Sequence, residues 1–87
     1  MSKETLFEFP CDFPIKLVGP AGDDFRPFVL DIVAQHVGQL EEERIASRVS
    51  RDGKYLSLTC TFCADSRAQV DALYADLSSR DRILMVL

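Results

Sequence analysis

Cys60 and Cys63 stand in the stretch LTCTFCA, residues 58–64, as a C-x-x-C pair. That spacing lets thiolates bind zinc, carry copper or form a reversible disulfide. Cys11 and the single histidine, His36, would complete a four-ligand zinc inventory. Only Cys60 and Cys63 are close in sequence, however, and the second paired motif of a structural zinc site is missing. Neither a metal nor any other cofactor is expected. His36 falls on or beside the apolar stripe of a helix, and no Asp or Glu is evidently placed to orient it as a base. It reads as a hydrogen-bonded boundary residue. No nucleophile, base and orienting group converge in the sequence, so no enzymatic activity is expected.

Whether the C-x-x-C can act depends on the element that carries it. Residues 13–18, FPIKLV, read as a strand, and Gly19-Pro20-Ala21-Gly22-Asp23 as the loop after it. Asp24 is placed to cap a helix in which Phe25, Phe28, Val29, Ile32, Val33, His36 and Val37 follow helical spacing, with Pro27 in the first turn and Gly38 at the end. Residues 44–50 alternate, with Ile45, Ser47 and Val49 on one face and Arg44, Ala46 and Arg48 on the other. Asp52-Gly53 signals a tight primed hairpin turn. Tyr55 to about Cys63 forms the partner strand. Ser66 with Gln69 is a capping-box pattern opening a second helix with Val70, Leu73, Tyr74 and Leu77. Ile83 to Leu87 is a fourth, wholly apolar strand.

The order β-α-β-β-α-β, with right-handed crossovers, gives an α+β ferredoxin-like sandwich. Its four-stranded antiparallel sheet has the order 4-1-3-2, with two helices on one face. Residues three apart in a strand are roughly 10 Å apart and point to opposite faces, whereas a disulfide needs Cα atoms within about 7 Å. Cys60 should therefore face the helices beside Leu58 and Phe62, and Cys63 the other side. Ferredoxin-like heavy-metal carriers place their cysteines in the loop after the first strand, which here is GPAGDD.

The 87 residues, 47% hydrophobic and 28% charged, form one domain, residues 1–87, with residues 1–11 a less regular N-terminal segment. A domain of this size buries about 60–65% of its unfolded surface, which favours self-association or a partner. The net charge of −4 opposes nucleic-acid binding. An RNA-recognition sheet would show alternating aromatics where the third strand has Tyr55, Ser57, Thr59 and Thr61. Acylphosphatases use an arginine and an asparagine near the first loop, whereas this loop carries aspartates and the chain has no asparagine. There is no export signal and no apolar run approaching the roughly 18 residues that span a bilayer. With three cysteines, an odd number, the chain is expected in the cytoplasm, without membrane or nucleic acid as partner.

Two surfaces are candidates. Gly19, Gly22 and Asp23 form a loop leading into a helix N-terminus, either an ordinary strand-to-helix turn or a site for a small effector. Arg44 and Arg48, with Arg51 and Lys54 against Asp52, make one edge of an acidic chain basic. That charge either discourages strand pairing or serves a partner. If Ile83 and Met85 face the core, Leu84 and Val86 lie on the open sheet face near Val18 and extend the interaction surface.

LFEFPCDFPIKLVG, the Ser50-x-x-Gly53-x-Tyr55-x-Ser57 pattern, Gln69-Val70-x-x-Leu73-Tyr74 and the terminal Met85-Val86-Leu87 together resemble the YbeD family of small bacterial proteins. The resemblance implies an ACT-like ferredoxin fold in bacterial cytoplasm and a regulatory role linked to lipoate metabolism. It carries over no catalytic residue, and the C-x-x-C is not part of the pattern. ACT domains bind amino-acid effectors at the loop after the first strand. The expectation is thus a regulatory or adaptor domain that pairs with itself or another cytosolic protein, with a small-effector sensor as the alternative.

Overall fold

Strict alternation organises the middle of the sheet. In the computed structural model, which describes residues 8–87, strand β1 (Cys11–Pro20) pairs antiparallel with β3 (Tyr55–Ala64) over ten positions, from Cys11 opposite Ala64 to Pro20 opposite Tyr55. Ile15 and Leu17 on β1, and Leu58, Cys60, Phe62 and Ala64 on β3, are buried. The residues between them face the open side. Strand β2 (Ile45–Val49) pairs with the outer side of β3, and β4 (Met85–Val86) with the outer side of β1, giving the order β2-β3-β1-β4. This is the expected 4-1-3-2 order, and the fold is the α+β ferredoxin-like sandwich. β1 begins at Cys11, within the segment expected to be less regular; residues 1–7 of that segment lie outside the described residues.

Helices α1 (Phe25–Val37) and α2 (Arg67–Ser78) bury Phe25, Val29, Ile32 and Val33, and Val70, Leu73 and Leu77, in one core with the inward strand residues. Asp24 occupies the position before α1, but its side chain makes no cap bond; its carboxylate receives Arg82 Nη2 at 2.8 Å. A full charge across a short gap holds the oxygen more strongly than a neutral amide does. Gly38 has φ +85°, as a glycine ending the helix allows. At α2 the capping pattern forms, with the Gln69 N–H donating to Ser66 Oγ at 3.1 Å. Gln69 Oε1 accepts from the Asp65 N–H at 2.7 Å, one residue before the usual partner.

The hairpin between β2 and β3 is wider than the two-residue turn that Asp52-Gly53 implied. The Ser50 N–H donates to Tyr55 O at 2.8 Å, so residues 51–54 form the loop, and only Gly53 has positive φ. Asp52 accepts from Ser50 Oγ at 2.7 Å and the Lys54 N–H at 3.1 Å. The Ser50 bond, then the backbone bond, hold the Asp52 carboxyl below its ordinary pKa of 3.8. A side-chain network thus does the work of a primed turn.

β4 is shorter than residues 83–87, and its faces differ from expectation. Val86 sits opposite Leu17 and so faces the helices, while Met85 sits opposite Val18 on the open side. Ile83 is also buried. Two inward residues three apart break a period of two, so Ile83 and Leu84 precede the regular strand. Tyr74 Oη donates to Val86 O at 2.7 Å and ties the strand to α2.

One close approach anchors the layers. A Cβ at Gly19 would fall within the Phe25 ring and lie 2.8 Å from the Arg82 carbonyl oxygen, whereas at Gly22 it would meet only Asp24 Oδ1, at 3.6 Å. Gly19→Ala is expected to lower stability by about 1–3 kcal/mol through overpacking. Gly22→Ala should change it by less than about 0.5 kcal/mol. Urea denaturation compares them, and equal losses would refute this role for Gly19.

Candidate functional site

The cysteines separate as strand geometry requires. Cys60 is fully buried between Leu58 and Phe62 on the helix side, Cys63 is exposed on the open side, and Cys11 is half-buried; all three are free thiols. Burial pushes the Cys60 thiol up to about 11, which removes the thiolate that both metal binding and nucleophilic attack require. Among the described residues no group of three or more His, Cys, Asp or Glu side chains is arranged to hold a metal ion.

The candidate effector loop is tied into the fold. Gly19 belongs to β1, and the space beside it is filled by Phe25. The Ala21 N–H donates to Lys54 O at 2.8 Å, and Gly22 O accepts from the Phe25 N–H at 3.3 Å. Gly22 and Asp23 are exposed. Cavities of about 470, 560 and 320 Å³ lie elsewhere on the surface and do not touch this loop.

His36 has a partner that sequence reading missed. Its Nε2 lies 2.8 Å from Asp76 Oδ2, while Arg80 Nε and Nη2 donate to Asp76 Oδ1 at 3.1 and 3.0 Å. This corrects the expectation that no carboxylate orients the histidine. Asp76 lies 40 residues away on α2, and only the packing of α1 against α2 brings the two together. Gln69 Nε2 adds a bond to His36 O at 3.1 Å. The group clasps the C-terminal end of α1.

The open sheet face carries a different chemistry. Across it lie Ala46 and Arg48 on β2, Tyr55, Ser57, Thr59, Thr61 and Cys63 on β3, and Pro14, Lys16 and Val18 on β1. Arg44, expected in the strand, instead closes a single 3-10 turn, Glu42–Arg44, just before β2. Arg44 Nη1 is held by Asp12 Oδ1 at 3.2 Å. Arg26, Arg67, Arg80 and Arg82 are likewise paired with carboxylates. Lys16, Arg48, Arg51 and Lys54 form no ion pair among the described residues, and all four lie on this face or in the hairpin at its end. Two shallow cavities adjoin through Arg48 and Ser57. One of about 560 Å³ also touches Val18, Val49, Arg51 and Tyr55, and one of about 320 Å³ also touches Lys16, Ala46 and Thr59.

The four candidate interaction residues therefore do not form one patch. Arg48 on β2, and Arg44 just before that strand, lie at one edge of the sheet, and Leu84 and Val86 lie at the other. Leu84 is exposed, but Val86 points to the helix side, so the apolar part of the open face near β4 is Met85 with Leu87, which exchanges backbone bonds with Lys16. The sequence left the role of Lys16 open, although its place between inward Ile15 and Leu17 on β1 was a usable signal.

Two outcomes test these assignments. Cys63→Ser should leave stability within about 0.5 kcal/mol, and Cys60→Ser should lower it by about 1–3 kcal/mol by burying an unsatisfied hydroxyl. A disulfide-exchange reagent at neutral pH should modify Cys63 in the folded protein and spare Cys60; rapid labelling of Cys60 would refute its burial. Asp76 is held below its ordinary value of 3.8, chiefly by the His36 hydrogen bond and then by Arg80. Because the folded-state pKa is the lower one, its stabilisation is complete above about pH 4 and is lost as pH falls through the folded value. Denaturation at stepped pH should show a shallower acid decline for Asp76→Asn than for the natural sequence, and identical slopes would refute it.

Comparison with known proteins places the chain. A family model described as a protein of unknown function, DUF493, matches residues 4–87. A UPF0250 protein of Nitrosomonas europaea is 44% identical over 87 residues, covering 100% of both chains. Another from a Janthinobacterium species is 49% identical over 84 residues, covering 97% of this chain and 92% of its own. A third, from Hahella chejuensis, is 41% identical over 80 residues, 92% of this chain and 88% of its own. With the match spanning almost the whole sequence, and as the opening, hairpin and helix motifs implied, the chain belongs to the DUF493 (UPF0250, YbeD) family.

Proposed function

We propose that this chain is a cytoplasmic regulatory or adaptor domain with no catalytic step of its own, acting through self-association or a protein partner in the service of lipoate metabolism. The observation that carries the reading is the solvent-facing sheet surface. It combines Lys16 and Arg48, which form no ion pair among the described residues, with exposed Tyr55, Met85 and Leu87, a mixture suited to a protein contact. The small core supports the same reading, because a domain of this length gains stability from association. The link to lipoate metabolism rests on the resemblance of the motifs alone.

The chain has no helix among its described residues long and apolar enough to cross a membrane. Its charges also favour a protein over a polyanion. The remaining carboxylates outweigh the basic face and repel nucleic acid at a distance.

Light scattering and a pull-down from native cytosol test the proposal. A dimer, or one reproducible stoichiometric partner whose capture is reduced when Lys16 and Arg48 are replaced by glutamate, is the expected outcome. A strict monomer at high concentration that captures no protein would sink it. Amino acids and lipoyl compounds should leave the melting temperature unchanged. A rise of several degrees with one of them would transfer the reading to an effector sensor of ACT type.

A further inference from the structure

The outer edge of β2 combines three features that one partner could satisfy together. The first is backbone. The Ser50 to Tyr55 bond identifies these two residues as a hydrogen-bonded pair, and in an antiparallel ladder such pairs alternate with non-bonded ones. Arg48 therefore also bonds toward β3, while Ser47 and Val49 direct their N–H and C=O groups outward. β2 ends the sheet, so no strand among the described residues covers them. The Ile45 N–H is taken by Glu42 O.

The second feature is charge on the open side of this edge. Arg48 and Arg51 are exposed and form no ion pair among the described residues, while Lys16 and Lys54 add to the field. The third lies on the helix side, where a cavity of about 470 Å³ runs between α1 and residues 39–45, reaching β2 at Ile45. Leu30, Ala34, Leu40 and Ile45 line it together with Asp31 and Glu42, which favour apolar over acidic side chains there. A strand added to this edge would place alternate side chains over that cavity and the others beside Arg48.

We propose that β2 is a docking edge for an extended, carboxylate-bearing segment of another protein, with acidic side chains alternating with apolar ones. This deepens the adaptor reading, on which it rests, by naming the edge and the partner's chemistry. The acidic side chains meet Arg48 and Arg51, the apolar ones cover Leu30, Leu40 and Ile45, and the backbone completes the ladder at Ser47 and Val49. Lys16, on β1 and separated from the partner by β2 and β3, steers the encounter without direct contact. A second copy fits this edge poorly. Antiparallel pairing of two β2 strands about Ser47 would set the two Arg48 residues on one face, diagonally about 7–8 Å apart, with the Arg44 residues beyond them.

The probe is a blocked nine-residue peptide of alternating valine and glutamate, followed by fluorescence anisotropy and by amide NMR of the folded protein. Expected are saturable binding that weakens as salt rises, perturbed Ser47 and Val49 amides, and at least about a tenfold loss in Arg48→Glu. Ser47→Pro, which removes an outward N–H that an edge strand tolerates losing, should abolish binding while keeping the α1 and α2 resonances. Lys16→Glu should chiefly slow association. No binding of the peptide, equal binding of its valine–lysine counterpart, insensitivity to Arg48→Glu, or perturbations confined to another surface would overturn the proposal. A native partner captured equally well by the natural chain and by Arg48→Glu would preserve the adaptor reading and remove this edge from it.

Discussion

Ten consecutive pairs, from Cys11 opposite Ala64 to Pro20 opposite Tyr55, join the two central strands, and a slip of one residue would turn every side chain of one strand to the other face. This register is what the other placements depend on. It buries Leu17, Leu58 and Cys60 together, and it sets Lys16, Ser57 and Thr59 on the solvent side. β2 and β4 then inherit their faces from β3 and β1. Arg48 is on the open side because Ser57 is, and Val86 is on the helix side because Leu17 is.

The layers above the sheet are locked at two places of different chemistry. At one end Phe25 fills the space over Gly19, while Arg82 reaches Asp24 and lies with its guanidinium 4.6 Å from the centre of the Phe28 ring. Packing and a cation over an aromatic face act together there. At the other end His36, Asp76, Arg80 and Gln69 join the helices through hydrogen bonds. These locks use up groups that otherwise look functional. The lone histidine, the glycine near the end of β1 and the aspartate before the helix each have a structural partner. The same holds for most arginines, so the cations left over in the hairpin and on the open face stand out.

Periodicity made much of the fold legible. The stripe from Phe25 to Val33, the alternation from Leu56 to Cys63 and the Ser66-Gln69 cap each depend on neighbours a few residues away, and each formed. The misread parts involve partners far away in the chain. Asp24 exchanged its cap role for Arg82, and the hairpin widened because the Ser50 and Asp52 side chains close it. The faces of β4 changed because Ile83 enters the core before regular pairing begins. Of the candidate site, alternation set Arg48 on the open face, whereas Arg44 closes the 3-10 turn before β2 rather than joining the strand, and nothing local showed that Asp12 would neutralise it.

The sequence by itself determined the elements, their order, the sheet topology and the separation of Cys60 from Cys63, because period, turn chemistry and crossover handedness are properties of short stretches. Tertiary structure alone decided which charged and polar groups keep a free hand. His36 met Asp76, Arg44 met Asp12, and Arg48 met no carboxylate among the described residues because strand register and helix packing set distances between residues remote in the chain. An ion pair or hydrogen bond forms only within a few ångströms, and no local pattern encodes that proximity.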